Sequence, residues 1–429
     1  MAIPGVKTII KDRFYSISRQ DLPVGPRVAV IARRNTASGT GNVPDLDSVQ
    51  ISNEQDVITA FGSGSDCHRA YVELVAAGAE RIYIIPLPST ATFHAGGPST
   101  QADVKDGAAT PASIFDAAFD AAEAALPDII VPWGRGGHPN EWAATPSSGG
   151  AFGFYADDTT TVTNSMAARV ARRCKEISET SHPCFAVMGI KPYTGAVLQM
   201  TPAAVATHLS LPNLANRNED IDVATTNSAG QTIYTRLAEA GRHLFIVAAE
   251  VIPAGYKTEW GYANGACSLA GTLSRLASYT SPSNKVAYNV QGMRYNPSRT
   301  SQTSLSNAGV NAISLNFNRA PIYTEGLSFA ASTSDYTRIS TMRIISEASL
   351  LVRQVCQKFV GEASTIQVRN SMETAVTSAL RGMMQLGALL DADFSISYIP
   401  NENKAIIDLV VTPAFELKSI EVRLSVNLA

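Results

Sequence analysis

Short apolar runs alternate with amphipathic stretches along the first 250 residues. The runs at 28–32, 81–86, 128–132, 184–189, 221–225 and 244–248 have the length of strands. Between them the apolar positions recur at helical spacing, at 53–61, 65–77, 113–126, 163–179, 201–209 and 233–240. Asn53 is placed to cap the first of these helices, and Gly78 to end the second. The strand runs are apolar throughout rather than alternating, which implies burial on both faces. Strand and helix in this order predict a helix-covered, mainly parallel or mixed sheet.

The texture changes further on. A helix is expected over 261–277 and a loop-rich stretch over 278–310, with Pro282 and Pro297. Strands follow at 311–316 and 321–324. A long amphipathic helix over 336–360 carries Ile339, Met342, Ile345, Ser349, Val352, Cys356 and Phe359 on one side. A second helix, 368–386, ends at Gly387, and strands at 394–399 and 405–411 flank a turn with Pro400, Asn401 and Asn403. This is a smaller α+β domain.

Both chain ends read as extended arms. Pro4 and Gly5 break the start, and Val6, Ile9 and Ile10 alternate with Lys7, Lys11 and Arg13. At the other end Ile420, Val422, Leu424 and Val426 fall on one side of a period-two strand, and Glu421 and Arg423 on the other. An exposed terminal strand invites aggregation unless something pairs with it, and one use is to add a strand to a neighbour's sheet. The expected layout is an arm at 1–20, an α/β body at 21–300, an α+β domain at 301–416 and an arm strand at 417–429.

Charge bounds the partners. The 429 residues sum to −3 and 17% are charged, so bulk attraction to nucleic acid or to membranes is not expected. Residues 1–35 hold seven basic residues against two acids, a local +5 that leaves −8 elsewhere. A basic end on an acidic body can dock on a neighbouring copy. The five cysteines match no metal spacing and suit buried, reduced thiols. Met1–Lys11 lacks the apolar run of a signal peptide, and no apolar stretch reaches membrane-spanning length.

Catalytic patterns are thin. Gly134-Arg135-Gly136-Gly137-His138 follows a strand but lacks the GxGxxG spacing and a Walker lysine. His68, His94, His138, His182, His208 and His243 include no i,i+4 pair. Gly62-Ser63-Gly64-Ser65 is no nucleophile elbow. Asp157-Asp158 fits a loop, and Glu141 and Trp142 near His138 are the most enzyme-like group.

Order along the chain carries a resemblance. Leu305-Ser306-Asn307-Ala308-Gly309-Val310-Asn311-Ala312-Ile313, then two long helices, the turn Leu386-Gly387-Ala388-Leu389-Leu390 and paired strands resemble the C-terminal third of contractile tail sheath proteins. Ser281-Pro282-Ser283-Asn284-Lys285, Gly265-Ala266-Cys267-Ser268-Leu269-Ala270-Gly271, the opening Ile3-Pro4-Gly5-Val6 and the unit from Phe61-Gly62 to Pro86 are similar to the same family. The resemblance implies a non-enzymatic structural subunit without cofactor. It would form a helical homo-oligomer of stacked hexameric rings around a tail tube, meeting baseplate and tail terminator proteins. Its place would be a virion tail assembled in a host cytoplasm, with no direct nucleic-acid contact and no membrane insertion. It further implies a tube-facing C-terminal domain with Arg343, Arg353, Lys358, Arg369 and Arg381 as candidate contacts. Motion would concentrate at joints near 21–25 and 412–417. The other reading is an α/β enzyme, a hydrolase or nucleotide binder, with extended termini.

Overall fold

In the first strand, alternate side chains enter different cores. Val28, Val30 and Ala32 pack with one buried cluster, and Ala29 and Ile31 with another. Successive Cβ atoms of a strand point to opposite faces, so a strand covered on both sides must be apolar throughout. The computed structural model describes residues 26–35, 43–88, 114–133, 166–190, 225–226, 232–233, 240–330, 332, 334–399, 401, 404–414 and 416.

The strands are β1 (Arg27–Arg33), β2 (Val49–Ile51), β3 (Arg81–Leu87), β4 (Ile129–Pro132), β5 (Phe185–Ile190), β6 (Thr225–Thr226), β7 (Thr232–Ile233), β8 (Leu244–Ala248), β9 (Val251–Pro253), β10 (Val290–Met293), β11 (Val310–Leu315), β12 (Pro321–Tyr323), β13 (Leu389–Ile399) and β14 (Lys404–Pro413). The helices are α1 (Glu54–Phe61), α2 (Asp66–Ala77), α3 (Ile114–Ala124), α4 (Met166–Thr180), α5 (Ala266–Arg275), α6 (Arg299–Asn307), α7 (Ile339–Gln357) and α8 (Ile366–Gln385). Among the described residues the main sheet has eight strands, in the order β12-β11-β8-β5-β4-β1-β3-β2. Its interior pairs are parallel, and antiparallel pairs occur only at the two edges, β11/β12 and β2/β3. A mainly parallel, mixed sheet covered by helices is what the apolar runs predict.

Local chemistry sets the helix ends. The Asn53 side chain accepts the Asp56 N–H at 2.9 Å and starts α1. Ser65 Oγ accepts the His68 N–H at 3.1 Å and starts α2. Gly78, at φ 91, closes α2 in the left-handed region. α2 and α5 pack so closely that a Cβ on Gly271 would lie 2.5 Å from the Ala77 Cβ.

Several expected elements differ. Thr225–Thr226 pairs antiparallel with Thr232–Ile233 in a separate ladder, not in the parallel sheet. The helix expected over 261–277 begins only at Ala266, because Gly261 and Gly265 both take positive φ. The loop-rich stretch at 278–310 contains β10 and α6. α6 buries only Ser301 and Leu305, too little for an apolar pattern to reveal it. Residues 201–209 and the arms at 1–20 and 417–429 lie outside the described residues.

The chain divides into two compact units. The first contains residues 1–277 and 282–342, and the second 278–281 and 343–429. The expected boundary at 300–301 does not coincide with this division, which falls inside α7. Ile339 and Met342 join the core of the first unit, whereas Ile344, Ala348 and Val352 join that of the second. Each helical residue turns by about 100°, so the buried row changes phase between Met342 and Ile344. The single stripe through Ile345 and Ser349 is therefore corrected to one through Ile344 and Ala348. In the second unit β13 and β14 pair along their whole length into a two-stranded ladder over the core of α7 and α8.

Candidate functional site

A doubly wound sheet offers one place for a ligand, the carboxyl ends of its strands where the order reverses. Here that point lies between β1 and β4, which pair directly. Among the described residues it is filled. Trp133, directly after β4, is 1% exposed, and its Nε1–H donates to Glu73 Oε2 at 2.9 Å. Glu73 Oε1 accepts the Ser268 N–H at 2.9 Å and the Ser268 hydroxyl at 3.0 Å. Ser268 lies in the first turn of α5, whose N-cap Gly265 has no side chain to offer, so Glu73 caps that helix from α2. Burial raises the Glu73 carboxyl above its usual range, against the pull of these donors. At the end of β1, Arg33 Nε meets the buried Asp66 at 2.9 Å, and the Cys67 thiol donates to Ala32 O. The described side chains at this point form a packed, hydrogen-bonded interior.

The described histidines are engaged separately. His68 Nδ1 accepts the Gly64 N–H, so its Nε2–H donates to Glu54 at 2.9 Å. His182 Nε2 meets Asp128 at 3.0 Å. His243 faces Cys184 O through Nδ1 at 3.1 Å, and burial lowers its pKa to about 4. No group of three His, Cys, Asp or Glu among the described residues could hold a metal ion. No described helix is long and apolar enough to cross a membrane. Cys67, Cys174, Cys184 and Cys267 are buried and Cys356 is half-buried, all as free thiols. Ser65 of the Gly-Ser-Gly-Ser turn is a helix cap. The loop at 134–138, Glu141, Trp142 and Asp157-Asp158 lie outside the described residues.

The Gly309-Val310-Asn311 segment has a structural role. Asn311 is fully buried, and its amide donates to Ile246 O at 2.9 Å and Leu327 O at 2.8 Å. Its oxygen accepts the Leu327 N–H at 2.7 Å. One side chain thus fastens the segment at 327 to the sheet, as a strand would.

The second unit carries the surface features. Ala392, Phe394, Ile407, Leu409 and Val411 line the inner face of the β13–β14 hairpin, against α7 and α8. No further strand pairs with either hairpin edge among the described residues. A two-stranded ladder is marginal alone and presents unpaired N–H and C=O groups at both edges. Of the expected tube-facing residues, Arg353, Lys358 and Arg381 are exposed. Arg369 stacks on Tyr398 at 4.2 Å and donates to Ser364 Oγ at 3.0 Å. Arg343 is 7% exposed and belongs to the interior. Thr412 and Pro413 pair into the hairpin, so they form no loose joint. Val6, Ile9, Ile10, Ile420, Val422, Leu424 and Val426 lie outside the described residues.

No protein-family sequence profile and no curated protein matches the chain. Solved structures do. The helical sheath of the anti-feeding prophage in its contracted state matches with a TM-score of 0.56 and 14% identity, over 94% of this chain and 93% of that one. A sheath tail protein from Listeria innocua matches with a TM-score of 0.57 and 12% identity, over 96% and 97%. The sheath complex of an extracellular contractile injection system, PVC, also contracted, matches at 0.57 and 10% identity, over 94% of both. At such identities the likeness establishes the fold, an α/β fold shared end to end with contractile sheath proteins.

Proposed function

We propose that the chain is a non-enzymatic subunit of a contractile tail sheath. Copies would polymerise helically around a tail tube and contract to drive the tube through a host envelope. The end-to-end likeness to sheath proteins carries this reading, because the chain covers nearly the whole of each matched subunit.

The hairpin suggests how copies would join. Arms at 1–20 and 417–429 would add strands to the open edges of β13 and β14 in neighbouring subunits. Each backbone hydrogen bond contributes about 1 kcal/mol net, so a strand of about six bonds would hold subunits together while their bodies move. The second unit, from residue 343 onward, would face the tube, with Arg353, Lys358, Arg369 and Arg381 meeting it. Tube, baseplate and tail terminator would be the partners, in a virion tail assembled in the host cytoplasm. Without nucleotide, contraction must draw on energy stored at assembly, in an extended state held by a barrier. Electron microscopy of the purified chain tests the reading: hollow tubes or stacked rings are expected, and discrete single particles would contradict it.

A further inference from the structure

We infer that the β11–β12 turn of one copy seats on the solvent face of the β13–β14 hairpin of a second copy, Phe317 against Val410 and Arg319 against Asp393 and Asp408. This rests on the sheath reading for the existence of a polymer, and adds a contact distinct from the terminal strands.

The turn is a preorganised anchor. Phe317 at its tip is fully exposed, at 106%. The Asn316 side-chain oxygen accepts the N–H of Asn318 and of Ala320, each at 2.9 Å. The Asn316 N–H donates to Ala320 O at 3.0 Å, and its carbonyl accepts the Arg319 N–H at 2.9 Å. Arg319 itself is held at φ 57, where a residue with a Cβ is strained. A rigid turn presenting an aromatic beside a guanidinium loses little conformational entropy on binding, and aromatic and arginine side chains dominate binding energies.

The hairpin face has the complementary chemistry. Val410 is 69% exposed, directly opposite Asp393, with Asp408 and Thr412 two positions away on its own strand. Asp408 lies opposite Ser395, and Asp391 opposite Thr412. An exposed apolar side chain is thus ringed by three exposed carboxylates. Like charges this close on one sheet face repel. Among the described residues no ion pair engages Arg319, Asp391, Asp393 or Asp408. A partner bringing an apolar group and a cation would cover Val410 and relieve the repulsion, as Phe317 and Arg319 do. The two surfaces differ, so the contact is heterologous and propagates without closing on a dimer.

The test is a charge swap read by sedimentation of full-length polymer, with circular dichroism confirming each fold. Arg319→Glu alone, and Asp393→Lys with Asp408→Lys, should each lower the polymerised fraction about tenfold or more. The three changes combined should restore it to within about threefold. Phe317→Ala should weaken polymerisation without a charge change. Singles that polymerise normally, or a combination that does not recover, would overturn the contact. Arg319→Glu polymerising normally, while Asp393→Lys with Asp408→Lys does not, would overturn the pairing with Arg319 and give the hairpin face to another partner. A wild-type chain that stays monomeric would contradict the sheath reading itself.

Discussion

Glu73 caps a helix 195 residues away in sequence, accepting both the N–H and the hydroxyl of Ser268. Its other oxygen holds Trp133. Glu73→Ala would leave buried donors on α5 and on the indole unpaired. Each costs about 1–3 kcal/mol, so a loss of about 3 kcal/mol is expected in urea unfolding. Glu73→Gln keeps the volume and an acceptor for Ser268 but turns an N–H group toward Trp133. It should fall between the wild type and Ala, and equal stability of all three would refute the capping role.

His243 sets an acid limit. Its folded pKa of about 4 lies below the ordinary 6.5, because burial disfavours the imidazolium. For a lowered pKa, the stabilisation is complete above the unfolded value and is lost as pH falls toward the folded one. Between pH 7 and pH 5 the protein should lose about 2 kcal/mol from this group. His243→Gln should flatten that limb of the stability curve, and an unchanged slope would exclude His243 as its source.

Asn311 tests the latch at 327. Alanine removes three hydrogen bonds and should cost about 2–4 kcal/mol. Aspartate should be worse, because a carboxylate would face the carbonyls of Ile246 and Leu327 where an amide now donates. Thermal unfolding of both variants gives the order, and aspartate tolerated as well as alanine would argue against the latch.

Tube contact through basic side chains should weaken with salt. Lys358→Glu with Arg381→Glu should reduce co-assembly with tube protein and flatten its dependence on ionic strength. Co-assembly that is indifferent to both salt and these changes would remove the electrostatic part.

Much of this architecture is legible in the sequence because the signals are local. Apolar runs such as 28–32 and 244–248 read as buried strands, and Asn53 and Gly78 mark helix ends by their own chemistry. What stayed hidden depends on distant partners. Nothing near Ser268 announces that Glu73 will cap its helix. The phase change between Met342 and Ile344 arises because α7 serves two cores, which one periodicity cannot express. Arg343 reads as an ordinary helix charge and is buried by tertiary packing. The hairpin is legible from its strands, but its charged outer face appears only once Asp393 and Val410 are paired.

Sedimentation velocity of the full-length chain beside a chain ending at Glu416 tests the central claim most directly. The full-length protein should run as a large polymer, and the truncated one as a folded monomer, since it lacks the proposed arm at 417–429. A full-length chain that remains a 45.5 kDa monomer, or a truncated chain that forms the same polymer, would contradict the account.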